Sequence, residues 1–134
     1  MKSALKKLLL LLFLAGPCGL YAQQESQVID KVHKSIREGN STSLSSLFHT
    51  TVDLELGDTD GNFSNNQAEM IMKDFFAKNP VKSYTIKHQG SSDDGSKYSI
   101  GLYQSTGNRK FRVYILLKKQ DAGLRINQLQ FEEE

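Results

Sequence analysis

The chain has 134 residues, 17 of them basic and 15 acidic, with a net charge of +2, no tryptophan and one cysteine. That length suits one ordinary domain, and a near-balanced charge without a basic cluster excludes the electrostatic footprint of a nucleic-acid binder. A single cysteine excludes an internal disulfide, so core packing alone must hold the fold.

The first 22 residues read as a secretory signal peptide. Lys2, Lys6 and Lys7 make a basic start, Leu8 to Ala15 an unbroken apolar run, Gly16-Pro17 a break, and Leu20-Tyr21-Ala22 a cleavage site. The apolar run is too short for a finished membrane span, and no later stretch approaches that length. Cleavage leaves Gln23–Glu134 as a single domain with fourteen basic and fifteen acidic residues, so the positive charge belongs to the leader. The sole cysteine, Cys18, also lies there. Lipidation of Cys18 is the alternative outcome, but Pro17 stands where lipoprotein processing normally needs a small residue. The expected product is therefore periplasmic or secreted and not anchored.

Beyond the leader, Val28, Ile29, Val32 and Ile36 recur at helical spacing, which predicts a helix over Gln24–Glu38. Lys34 and Arg37 in its last turn suit the negative end of the dipole, and Gly39 can take the left-handed stop. Leu44, Leu47 and Phe48 suggest a short second helix. Val52, Leu54 and Leu56 alternate with Asp53 and Glu55, as in a half-buried strand. Ser64 and Gln67 form a capping box ahead of Ala68, Ile71, Met72, Phe75 and Phe76, one apolar helical stripe of core residues that Asn79-Pro80 ends.

After Pro80 the pattern predicts strands at Tyr84–Gln89, Lys97–Gln104, Arg109–Lys119 and Leu124–Phe131, joined by turn-rich segments. Three hairpins in a row make an antiparallel meander. In the third strand Phe111, Val113, Ile115 and Leu117 share the face expected to meet the helices. In the fourth, Leu124 and Ile126 are out of phase with Leu129 and Phe131, which predicts a β-bulge near Asn127-Gln128. The closing Glu132–Glu134 run reads as a solvated tail.

This order of elements resembles the nuclear-transport-factor-2-like (cystatin-like) α+β fold, a cone of helices wrapped by a curved antiparallel sheet. Ser35-Ile36-Arg37-Glu38-Gly39-Asn40, the Phe63-Ser64…Gln67-Ala68 helix entry, Phe75-Phe76 and Phe111-Arg112-Val113-Tyr114 are similar to a family of small exported Gram-negative proteins of unknown function with that fold. The resemblance covers nearly the whole chain after the leader. Its motifs are packing and capping motifs, so it implies a shape and no activity, because this superfold hosts enzymes, carriers and dimer modules alike.

Three polar or aromatic groupings are candidate sites. Asp58, Asp60, Asn62 and Glu69 have the offsets of a calcium loop, but Phe63 stands where that loop needs glycine, and a strand precedes it. A polar connection from strand to helix is the expected structure, with no metal. His88 shares the parity of Tyr84 and Ile86 and is expected to point into the cone, near Tyr98 on the next strand; Tyr84, His88 and Tyr98 are thus the pocket candidates. In enzymes of the resembled fold a pocket His can act as a base, although no carboxylate here is placed to orient it. Tyr103, Tyr114 and Leu116 are expected on the face away from the helices, through which the resembled fold often dimerises. His33 and His49 read as helix-surface and loop residues.

No serine–histidine–aspartate order, phosphate loop or CxxC motif occurs, and no cofactor is implied. The expected function is a non-catalytic module of the cell envelope that binds a small apolar ligand or a protein partner. The alternatives are an isomerase or dehydratase built around His88, and a structural homodimer.

Overall fold

The computed structural model describes residues 16–121 and 123–134. The basic start and apolar run of the predicted leader lie outside the described residues. Among those described, no helix is long and apolar enough to cross a membrane.

Helix α1 (Gly16–Glu38) ends where the sequence predicts and begins earlier. Gly39 takes the left-handed conformation at φ +61°, and the Asn40 amide closes back on the Ser35 carbonyl at 2.9 Å. Helix α2 spans only Ser41–Ser45, with Asn40 capping the Ser43 amide. Leu47 and Phe48 are therefore not helical as expected: Phe48 opens strand β1 (Phe48–Leu56) and pairs with Ile126, so long-range pairing overrides local spacing.

Strand β2 (Thr59–Ser64) was expected as a polar connection and is instead the second arm of a hairpin with β1. Gly57, at φ +57°, makes the turn possible. Helix α3 (Asn65–Lys78) starts with the predicted capping box: Ser64 Oγ accepts from the Gln67 amide, and Gln67 Oε1 accepts from the Ser64 amide. It buries Ala68, Met72 and Phe76.

Strands β3 (Val81–Ser91), β4 (Lys97–Ser105), β5 (Lys110–Gln120) and β6 (Gly123–Glu133) form the expected meander. The six strands lie in the order β2-β1-β6-β5-β4-β3, antiparallel throughout except for the parallel β1–β6 pair. The predicted bulge is present: Leu116 pairs with Gln128 and Leu117 with Ile126, leaving Asn127 as the extra residue. The bulge lets Leu124, Ile126, Leu129 and Phe131 all reach the core. Glu132 and Glu133 extend β6 and are not a tail. Pairing with Arg112 and Phe111 carries the strand that far, and Arg109 grips the Glu133 carboxylate with two N–H groups at 2.6 and 2.9 Å.

The core divides into two ends. At the α3 end, Phe75, Phe76, Tyr103, Phe111 and Phe131 pack with ring centroids 4.7–6.4 Å apart. Tyr103 is fully buried there and donates to the Asn79 carbonyl at 2.6 Å, so it is not on the outer face as expected. The parity of β4 is reversed relative to the sequence reading. Ser99, Gly101, Tyr103 and Ser105 face the helices, while Tyr98, Ile100 and Leu102 face outward and are half-buried. Apolar count favours the second set, but the first fits the space. A Cβ on Gly101 would come within 2.8 Å of the Tyr84 ring and 3.0 Å of the Thr85 carbonyl, so only glycine leaves room for that ring.

Candidate functional site

The other end of the core, under α1, is polar. Val32, His33 and Ile36 lie on the buried side of α1, and Tyr84 rises from β3 to meet them. The Tyr84 hydroxyl is 3.3 Å from His33 Nδ1, and both side chains are buried. Arg37, one turn beyond His33, places its guanidinium 5.8 Å from the Tyr84 ring centroid and its Nε 3.3 Å from the Tyr84 carbonyl. Ser99 lies near the Tyr84 phenol from β4.

This cluster leaves two buried polar atoms without hydrogen-bond partners, His33 Nε2 and Ser99 Oγ. The Ser99 hydroxyl is close enough to Tyr84 to favour the phenolate slightly, but it completes no hydrogen bond. An unpaired buried polar group costs about 1–3 kcal/mol. Burial is the main reason His33 holds its proton weakly, and the nearby Arg37 charge adds to it. Together, against a smaller opposing pull from Asp30, they lower its pKa from 6.5 to about 4. The imidazole is therefore neutral near pH 7. Burial likewise pushes the Tyr84 phenol well up, so it keeps its proton.

A cleft of about 450 Å³ opens between the N-terminal half of α1 and the β3–β5 part of the sheet. Ser26, Ile29 and Asp30 line it from the helix, and Ser99 and Leu117 from the sheet. His33 is the next residue on that helical face, one turn deeper. Ser99, 2% exposed, thus belongs both to the cleft floor and to the buried cluster. At the mouth, Lys97 donates to Ser91 Oγ at 2.8 Å, and Glu25 lies 4.0 Å from Lys97 and 3.7 Å from Lys119. A larger polar groove of about 680 Å³ lies between α1 and the β5–β6 turn, but it carries none of the unpartnered buried atoms.

The sequence-predicted pocket residues are split by this geometry. Tyr98, half-buried, lines the cleft, Tyr84 is buried beside it without lining it, and His88 is exposed. A register shift between Ile86 and His88 leaves Lys87 as an extra residue, so His88 pairs with the outward Ile100. His88 is exposed, and its Nε2 is 3.0 Å from the outward Tyr98 hydroxyl. Of the expected outer-face residues, Tyr114 and Leu116 are where the sequence places them, paired with Ile100 and Tyr98, and Tyr103 is in the core.

The calcium-like offsets do not close around an ion. Asp60 and Asn62 alternate outward along β2, and Asn62 donates to Asp53 at 2.8 Å. Among the described residues, no group of three or more His, Cys, Asp or Glu is gathered as a metal site.

His33 and Ser99 were missed from sequence. A signal for His33 existed, since it lies four residues after Ile29 and three before Ile36 on the same helical face. For Ser99 there was none, because its inward direction follows from the β4 parity.

Comparison with known proteins agrees with this architecture. A DUF4783 family protein from Bacteroides ovatus is 30% identical, with a TM-score of 0.72 over 78% of this chain and 93% of that one. A second, from Bacteroides uniformis, is 28% identical with a TM-score of 0.73, covering 78% and 95%. An NTF2-like protein of unknown function from Shewanella baltica shares the fold at 12% identity, with a TM-score of 0.61 over 85% and 96%. No curated protein matches the chain. The α+β cone is thus of the nuclear-transport-factor-2-like type, and the family model for DUF4783, a domain of unknown function, matches residues 29–132. The chain belongs to the DUF4783 family.

Proposed function

We propose that this chain is an exported, non-catalytic binding module of the cell envelope that holds a small, largely apolar ligand in the cleft between α1 and β3–β5. The observation that carries this reading is the cleft itself, where Ile29, Tyr98 and Leu117 stand beside Ser99. Apolar walls with a few placed polar groups are what small-molecule sites have in common, and about 450 Å³ is within their usual range. The non-catalytic part rests on His33. A base with a pKa near 4 whose Nδ1 faces the Tyr84 hydroxyl is poorly matched to proton abstraction at neutral pH. Export rests on the leader anatomy.

Native mass spectrometry of protein purified from its own envelope tests the reading. A mass adduct that disappears when Ile29→Glu blocks the cleft is the expected result; uniformly bare protein would overturn it. A second reading, self-association, is supported by the outer face, where Tyr98 opposes Leu116 and Ile100 opposes Tyr114 in a half-buried apolar patch. Light scattering on Tyr114→Glu tests that surface, and a dimer that survives the change does not use it.

A further inference from the structure

We infer that Gln23 is a modification site: once the leader is cut after Ala22, Gln23 closes on its own α-amine and becomes a neutral pyroglutamyl ring. The inference rests on the export reading and adds the chemistry of the end that export creates.

The chemistry lies within the residue. In an N-terminal glutamine the α-nitrogen, Cα, Cβ, Cγ and Cδ are the atoms of a five-membered lactam. The neutral amine attacks the Cδ carbonyl and a C–N bond forms. The bond from Cδ to the side-chain nitrogen breaks, and that nitrogen takes the proton given up by the amine and leaves as ammonia. No oxidant, reductant or second reactant is consumed. A terminal group that titrates is replaced by an amide that does not, with the loss of the terminal charge.

The surroundings of the junction favour that outcome. Gln23 is exposed on the N-terminal half of α1, so ring closure displaces no core side chain. Ala22 lines the cleft together with Glu25 and Lys97, which puts the new end at the cleft rim. Lys97 on β4 and Lys119 on β5 both approach the Glu25 carboxylate, at 4.0 and 3.7 Å. A terminal ammonium here would be a third cation beside one carboxylate. It would also stand at the positive end of the α1 dipole, where cations are disfavoured. Both effects weaken the hold of the terminal amine on its proton, and the neutral amine is the nucleophile. The lactam is uncharged and leaves Glu25 to the two lysines.

The full chain, leader included, is expressed in its own host, and the protein recovered from the envelope and the medium is treated with an amine-reactive label before digestion. Labelling first keeps cyclisation during handling from being counted. Intact mass and tandem mass spectrometry of the N-terminal peptide give the readout. The expected peptide begins at Gln23, is lighter than the open form by one ammonia, and carries no label on its terminal nitrogen. Gln23→Asn keeps an amide at the junction but would have to close a four-membered ring. That variant should be cut at the same place, keep its full mass and take the label. A wild-type chain that begins at Gln23 and takes the label overturns the inference while export stands. A chain that begins at a lipid-bearing Cys18, or at any other residue beyond the apolar run, also overturns it, because the cut then lies elsewhere. If the recovered protein still begins at Met1, the export reading itself fails.

Discussion

Replacing His33 with glutamine turns the buried cluster into a measurement of its own electrostatics. His33→Gln keeps an acceptor for the Tyr84 hydroxyl and removes the titrating group. In the wild-type protein the native pKa is about 4, against 6.5 for an unperturbed histidine. Between those values the unfolded state binds a proton that the native state refuses. Stability is therefore complete above about pH 6.5 and falls as the pH drops, with a slope approaching about 1.4 kcal/mol per unit. Over the whole interval the loss is about 3 kcal/mol, a substantial share of the stability of a domain this size. The assay is urea denaturation of both proteins at steps from pH 7.5 to 4, read as the difference between their unfolding free energies. All other titrating groups are common to the two chains and largely cancel. The wild type should lose its advantage progressively below pH 6.5. A flat difference curve would show that His33 is not a buried neutral imidazole.

Other consequences follow from single contacts. Gly101→Ala should cost about 1–3 kcal/mol, measured by thermal or urea unfolding, because its Cβ meets the Tyr84 ring and the Thr85 carbonyl, which is backbone and cannot yield cheaply. Tyr103→Phe should cost about 1–2 kcal/mol by removing the donor to the buried Asn79 carbonyl, whereas Tyr114→Glu on the half-buried outer face should change folding stability by less than Tyr103→Phe does. Ser64→Ala should lower stability by about 1 kcal/mol, since it removes the acceptor for the Gln67 amide at the start of α3; an unchanged urea midpoint would show that the cap is redundant.

Much of the fold was legible because local signals and tertiary demands agree. The α1 end at Gly39, the α3 capping box, the inward set on β5 and the Asn127 bulge each follow from residue spacing and backbone chemistry. The site was less legible. A strand's two faces are distinguished from sequence by apolar alternation, and β4 offers apolar residues on one face and small residues plus Tyr103 on the other. On β3, the extra residue at Lys87 turned His88 outward, and no local pattern marks that shift. The hairpin arm β2 was hidden as well: Thr59-Asp60-Gly61-Asn62 has turn composition, and its pairing with β1 makes it a strand.

The sequence alone determined the α+β plan, the chain order of helices and meander, and the absence of a disulfide, because each depends on spacing within one element or on composition. The proposed export likewise rests on residue order alone, in the basic and apolar start of the chain. The tertiary structure decided which of two faces of β4 is buried, and that His33 is buried while His88 is exposed. Side-chain volume settled that choice: the Tyr84 ring needs the space over Gly101, and fitting it there brings Tyr103 into the core, Ser99 to the cleft floor, and Tyr84 to His33.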